Sequence, residues 1–388
     1  MRIFLVCQQS LKNHLVPAYQ FWEDYFKKGI EEAGHEWVEA QNIDWAEGLV
    51  YLDKKALNTW RDLTWSLTLS AIKKEHRKKP INLFLSYLFP KQVEPTALKE
   101  IQKLGIPCVN FFCDNIREFT KIPPVFYEFD LHWVPEFKAI KMYQKARQNY
   151  IYAPMPVWIP PEQRTWDHPE HYGVSFIGSR DIQREALLAQ VLNLGISLEI
   201  RGSAWNKAET PSSTLIKPEK TFYKTLVNQV NFLTANGINA WYGKATYKRQ
   251  TRIPDDYFKD AVKPKPDPQE YVNIIQQSRI TLGINRYPSY QYPFSKPDTY
   301  SRMRDIEAPM MGACYLTEWT EGLEHLYELG EEIETYCTAE EMVDKIHKLE
   351  ADPERRKKMR FQAQKRVVSQ HTVSQTLDKI INKMGLKI

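Results

Sequence analysis

The feature that most constrains this chain is a rhythm. Short, wholly apolar runs alternate with amphipathic stretches that close on glycine, and the rhythm starts twice. The first run, Ile3 to Cys7, leads through a polar loop into a stretch from Tyr19 to Ala33. There the apolar residues Phe21, Trp22, Tyr25, Phe26 and Ile30 fall near helical spacing, and the stretch stops at Gly34. His35 to Val38 predicts a second strand. Apolar runs at Ile81–Leu88, Ile106–Cys113, Leu131–Pro135 and Tyr150–Val157 continue the series, with helices predicted over most of 45–80, over Thr96–Leu104 and up to Ala146. Strands that are apolar on both faces, with helices between them, describe a parallel sheet covered on both sides. No GxGxxG follows the first strand, which argues against a dinucleotide site there.

Three prolines in Val157 to Pro169 interrupt the pattern, and this stretch reads as an inter-domain connection. The rhythm then restarts. Tyr172–Ile177 predicts a strand, Gly178-Ser179-Arg180 a tight turn, Arg184–Leu194 a helix ending at Gly195, and Ile196–Ile200 a strand opening onto Arg201 to Trp205. Residues 206–266 break the order with a helical piece at Phe222–Leu233 and a basic run through Lys244, Lys248, Arg249 and Arg252. They read as an insertion. The pattern resumes with helix 268–278, strand Ile280–Ile284 and a Tyr/Pro-rich loop from Asn285 to Tyr300. Next comes Arg302 to Thr317, a helix left through Gly312 and followed by a short strand. Glu340–Leu349 and Pro353 to about Met384 predict closing helices. The expected division is 1–157, a linker at 158–171, 172–372 with its insertion at about 206–266, and 373–388 as a C-terminal helix packing back on the N-terminal domain. A chain of 388 residues suits two such domains.

Composition narrows the function classes. A net charge of +5 spread over the whole chain is mild, and no zinc or RNP pattern accompanies it, so nucleic acid is not an expected partner. The five cysteines are odd in number, form no CxxC and sit mostly in apolar runs. They read as buried hydrophobes in a reducing compartment. The N-terminus reads as a strand rather than a targeting segment, and no apolar run reaches transmembrane length, so a cytoplasmic location is expected. The chain has no DxD, GxSxG, HExxH or P-loop. His168 and His171 have no third ligand in view, so neither metal nor cofactor is expected.

Open α/β sheets bind ligands outside the C-terminal ends of their strands. Four loops are expected there: Asp114-Asn115, Gly178-Ser179-Arg180, Gly202 to Trp205, and Asn285-Arg286 onward. Two sheets facing each other by these edges would enclose a cleft. Gly178 and Ser179, with Arg180 or Arg184, suit either phosphate contact or a tight turn beside solvated arginines. Trp205 suits stacking on a base or sugar, and equally the anchoring of a core. Arg286 and the tyrosines of 287–300 either cover a ligand or pack as a surface loop. Glu307 is the singular residue, a carboxylate at the front of an Ala/Met surface with Arg302 and Arg304 just before it. It reads as an ion pair at a helix end, or as a site for a ligand carrying hydroxyls and phosphates.

The segments Val174 to Ser179 with Arg184, Gly202 to Trp205, Arg304 to Thr317 and Glu340 to Lys345 together resemble the CgeB/YkvP-type glycosyltransferases. More distantly they resemble the family 4 retaining glycosyltransferases of GT-B fold. The resemblance covers about 172–372 apart from the insertion. It implies two Rossmann-like domains facing across a cleft, with a nucleotide-sugar donor held mainly by the second. Glu307 aligns with the second glutamate of the family's E-x7-E motif, which implies a hold on the ribose hydroxyls. The first glutamate falls at Thr299. Gly178, Ser179 and nearby arginines would hold the diphosphate. Asp114 would serve acceptor, sugar or proton. The implied reaction is retaining transfer to an acceptor hydroxyl, with Arg180, Arg184, Arg286, Arg302 and Arg304 as candidates for stabilising the departing diphosphate without a metal. Other readings on the same architecture are a nucleotide-sugar epimerase and a degenerate scaffold that binds a sugar or partner protein. The basic, aromatic insertion reads as a hold for a membrane-linked acceptor (a peripheral membrane contact) or a partner, or as a solvated excursion.

Overall fold

A computed structural model of the chain describes residues 1–12, 14, 20–50, 52–205, 238, 242, 252–287 and 298–386. It forms two compact units. One comprises Met1–Pro160 with Val367–Ile388, the other Pro161–Arg366.

The first unit is built on six parallel strands in the order β2-β1-β3-β4-β5-β6. These are β1 (Arg2–Val6), β2 (Glu36–Val38), β3 (Leu83–Tyr87), β4 (Cys108–Phe111), β5 (Leu131–Val134) and β6 (Tyr150–Tyr152). Every residue of β1, β3, β4 and β5 is buried, which is why their sequences are mainly apolar rather than alternating, with Arg2, Ser86, Asn110 and His132 as the buried polar exceptions. Phe26 from the helix Gln20–Glu32 meets Phe111 and Trp133 edge-on over the sheet. Burying rings of this size contributes about 2–3 kcal/mol each. The strand order reverses beside β1, where open sheets commonly bind ligands. Here the buried amides of Gln8 and Gln92 fill that position, exchanging hydrogen bonds of 2.8 and 2.9 Å.

The helix Val373–Met384 packs against Gln20–Glu32 in this unit. The approach is so close that a Cβ on Gly29 would lie 2.5 Å from Val373 Cγ2. The single helix expected from Pro353 to about Met384 is in fact two, Pro353–Gln370 and Val373–Met384. Thr372 breaks it. Its N–H (3.0 Å) and its hydroxyl both donate to Gln375 Oε1, so the residue caps a new helix instead of continuing the old one.

The second unit holds five parallel strands in the order β13-β12-β9-β7-β8. They are β7 (Tyr172–Ile177), β8 (Leu198–Arg201), β9 (Ser278–Gly283), β12 (Tyr315–Glu318) and β13 (Glu334–Tyr336). Two short strands, β10 (Arg286–Tyr287) and β11 (Asp298–Thr299), pair antiparallel beyond β9. The Pro-rich stretch after Pro160 belongs to this unit. Gln276 donates to the Gln163 carbonyl at 2.7 Å, and Glu170 binds Arg356 at 2.5 Å and Arg360 at 3.2 Å. The described end of the expected insertion is also part of the fold. Val262 bridges Ile200 in parallel, and Phe258 and Ala261 enter the core. The helical piece at Phe222–Leu233 and the basic residues Lys244, Lys248 and Arg249 lie outside the described residues. Cys7, Cys108, Cys113 and Cys314 are buried, while Cys337 is exposed.

Candidate functional site

The loops after β7 and β8 continue the pairing of their strands. Gly178 N–H donates to the Arg201 carbonyl at 2.9 Å and Arg180 N–H to the Ser203 carbonyl at 3.0 Å. Gly202 has φ +132°, and a Cβ there would lie 2.3 Å from the Gly178 oxygen, so both the backbone angle and the contact require glycine. Trp205 donates its indole N–H to the same oxygen at 2.8 Å. Its ring is only 2% exposed and packs edge-on against Phe258. The stacking role considered for Trp205 therefore gives way to the anchoring one, because no ring face is left to a base or sugar.

Arg180 is likewise engaged by the protein. It donates to Glu185 at 2.6 Å, Asp255 at 2.5 Å and the Ile253 carbonyl at 2.5 Å. At the start of the helix Ile182–Asn193, the Asp181 carboxylate accepts from the N–H groups of Gln183 and Arg184, both at 2.9 Å. A carboxylate at a helix N-terminus is favourable for the same reasons a phosphate is. The anion position expected beside Gly178 and Ser179 is thus filled at these two N–H groups by the chain itself.

Cationic groups gather a short way off. Arg184 donates to the Ser179 carbonyl at 2.8 Å and to its hydroxyl at 3.1 Å, and forms an ion pair with Asp181 at 3.3 Å. Arg302 donates to the Arg286 carbonyl at 2.9 Å and stands 4.7 Å from the Tyr300 ring centre. Arg304 stands 4.9 Å from the Tyr271 ring centre and 3.4 Å from Glu307. Burial first, then the neighbouring Arg302 guanidinium, pushes the Arg184 pKa below its ordinary value, and Arg304 adds to the effect. Three guanidiniums therefore share one field. Among the described residues Arg302 forms no ion pair, and its buried Nε has no hydrogen-bond partner. Arg286 differs from these three. Glu318 takes its guanidinium on Nε at 2.8 Å and Nη2 at 2.6 Å and also accepts its backbone N–H at 2.9 Å, so Arg286 clamps the loop after β9.

The helix Arg304–Met310 delivers two carboxylates to this place. Glu307 is 5% exposed, and its Oε2 accepts the Tyr271 hydroxyl at 2.7 Å. Burial, reinforced by the Glu307 charge, raises the Tyr271 phenol well above its usual range, so it is a fixed donor. Thr299 pairs with Arg286 across β10 and β11. Sequence reasoning missed Asp305, which is fully buried. It accepts from Arg302 N–H (3.0 Å), Asn285 Nδ2 (3.1 Å), Tyr315 OH (2.9 Å) and Thr317 Oγ1 (3.0 Å). The signal was present in Tyr315 and Thr317, two apart on a strand and so on one face, both bearing hydroxyls.

In the N-terminal unit, Asp114 starts the short helix Asn115–Glu118 and lies 3.9 Å from Arg117. Behind it Glu136, 1% exposed, accepts the Asn115 N–H at 2.6 Å. Burial, with a further push from the Asp114 charge, raises Glu136 to about 8, so it holds its proton at neutral pH. In a window from about 4.5 to about 8 the folded chain keeps a proton that the unfolded chain releases. Stability should therefore fall as pH rises through that window and level off above it. Thermal melts of Glu136→Gln across the window are expected to lose this slope, and an identical slope in the variant would refute the assignment. In the same unit His14 Nε2 lies 2.9 and 2.8 Å from the two carboxylate oxygens of Asp44, a pair the sequence did not announce.

The profile of the Glycosyl transferase-like family matches residues 183–382, just over half of the chain, and the chain belongs to that family. No curated protein sequence matches it. Among solved structures, the chain is similar to sucrose-phosphate synthase from Thermosynechococcus elongatus, at TM-score 0.56 and 11% identity over 99% of this chain and 98% of that one. It is similar to a glycosyltransferase from Rickettsia africae, at TM-score 0.54 and 12% identity over 98% and 97%. It is also similar to HepE from Anabaena, solved in complex with UDP, at TM-score 0.52 and 11% identity over 99% and 100%. The fold is that of the GT-B glycosyltransferases, two Rossmann-like parallel-sheet domains.

Proposed function

We propose that the chain is a nucleotide-sugar-dependent glycosyltransferase of the CgeB/YkvP type, transferring a hexose to an acceptor hydroxyl with retention. The observation that carries this reading is the gathering of Arg184, Arg302 and Arg304 beside the buried carboxylate of Glu307. A nucleoside diphosphate sugar needs both halves of that arrangement. The guanidiniums face the diphosphate, where negative charge grows as the glycosidic bond to phosphate breaks, and so lower the barrier in place of a metal ion. Glu307, held by Tyr271, accepts from the ribose hydroxyls. Ser179 and the backbone at Gly178 and Gly202 bound the same edge. Arg286 shapes the loop that carries Arg302. In the N-terminal unit, Asp114 is assigned to sugar or acceptor hydroxyls.

Isothermal titration with a panel of UDP-, GDP- and TDP-linked sugars tests the reading. Binding of one donor is expected, with turnover in an acceptor screen that persists in EDTA. Absence of binding across the panel would sink the proposal. Binding without turnover would favour a degenerate scaffold, a reading motivated by Thr299 standing where the resembling family has a glutamate.

A further inference from the structure

The helix Lys54–Lys78 leaves part of its apolar surface on the outside. It buries Thr64, Trp65, Thr68 and Ile72 against its unit, yet leaves Leu63 60% and Leu67 48% exposed. Two leucines one turn apart on the outside of a helix whose inner face includes two threonines are not explained by the core. They belong to a continuous stripe. Leu63, Leu67, Ser70, Lys74 and Arg77, all exposed, follow at alternating steps of 4 and 3, which keeps them on one side of the helix. The first half of the stripe is apolar and the second half cationic.

Charge identifies what such a stripe fits. Within Lys54–Lys78 there are seven Lys and Arg residues against two Asp and Glu, a net +5. That equals the net charge of the entire chain, so the remaining residues are balanced. Lys74 and Arg77 make no ion pair among the described residues. A second copy of the helix would bring one +5 segment against another. An anionic lipid surface meets both halves at once, with acyl chains for the leucines and headgroup phosphates for the lysines and arginine. No helix among the described residues is long and apolar enough to cross a membrane. A helix of this length, about 38 Å at 1.5 Å per residue, would lie flat in the headgroup layer.

We propose that this face docks the protein on anionic bilayers, inserting Leu63 and Leu67 and contacting phosphates through Lys74 and Arg77. The proposal does not depend on the donor site. The test is flotation of the full chain with vesicles of phosphatidylcholine containing about 30% phosphatidylglycerol, against phosphatidylcholine alone. Binding is expected only to the anionic vesicles and should fall about tenfold in Leu63→Ser/Leu67→Ser and again in Lys74→Glu/Arg77→Glu. Circular dichroism should show both variants folded, since all four side chains are exposed. Failure to float with anionic vesicles would overturn the proposal, as would flotation indifferent to the leucine substitutions. A leucine-dependent dimer in sedimentation velocity, or leucine-dependent capture of polyglutamate without vesicle binding, would overturn it in favour of a protein partner.

Discussion

Replacing Glu307 with alanine is expected to raise the dissociation constant for the nucleotide-sugar donor by on the order of 100-fold. Hydrogen bonds to a charged acceptor contribute about 1.5–3 kcal/mol each, and 1.4 kcal/mol is a factor of ten. The loss should exceed what one bond gives, because Tyr271 and Arg304 would lose the group that orients them. Glu307→Gln separates charge from shape. Its amide oxygen can still accept from Tyr271, but a neutral acceptor holds a ribose hydroxyl less firmly, so an intermediate affinity is expected. Titration with the donor and with the free nucleoside diphosphate checks both. Unchanged affinity in the alanine variant would show that Glu307 is only the partner of Arg304 and Tyr271.

The second large effect is on stability. Asp305→Ala should lower the free energy of unfolding by about 3–5 kcal/mol, since each buried donor left without its acceptor costs about 1–3 kcal/mol. Four donors converge on this carboxylate, and without it the Arg302 N–H and the Tyr315 and Thr317 hydroxyls would be left in a buried site, while Asn285 would keep the Glu318 carbonyl. Urea unfolding gives the measurement, and a loss below about 1 kcal/mol would mean that the donors find other acceptors. Donor affinity should fall as well, since Asp305 fixes the Arg302 backbone and shares Asn285 with Glu318, which holds Arg286.

Much of the fold was legible because burial on both faces leaves a plain mark. A strand such as Leu83–Tyr87 has nowhere to put a charge, so it reads as an apolar run, and a second series of such runs announced a second unit. Glu307 was legible as a carboxylate with no business on an Ala/Met surface. Asp305, two residues away, was not. In the string Asp-Ile-Glu nothing local says which acid faces the sheet, and its partners come from Asn285 and from β12. For Arg180 and Trp205 the sequence left a ligand role and a structural role open, for the same reason. Their partners are Glu185, Asp255, Ile253 and Gly178, and local spacing cannot reveal that a residue's bonding capacity is already filled from 75 positions away. The break at Thr372 could have been read, since Thr followed by Gln at the third position is a capping box.

The return of Val367–Ile388 to the first unit has a consequence for synthesis. A chain emerging from the ribosome completes the first unit's six strands by Tyr152, but the helix that seats Val373 against Gly29 follows only after the whole of Pro161–Arg366. Throughout translation of Pro161–Arg366 that groove on the first helix stays uncovered. The second unit, contiguous in sequence, can close earlier than the one that began to form first. A chain truncated just after Arg366 should therefore carry a complete second unit and a first unit that lacks its last helix.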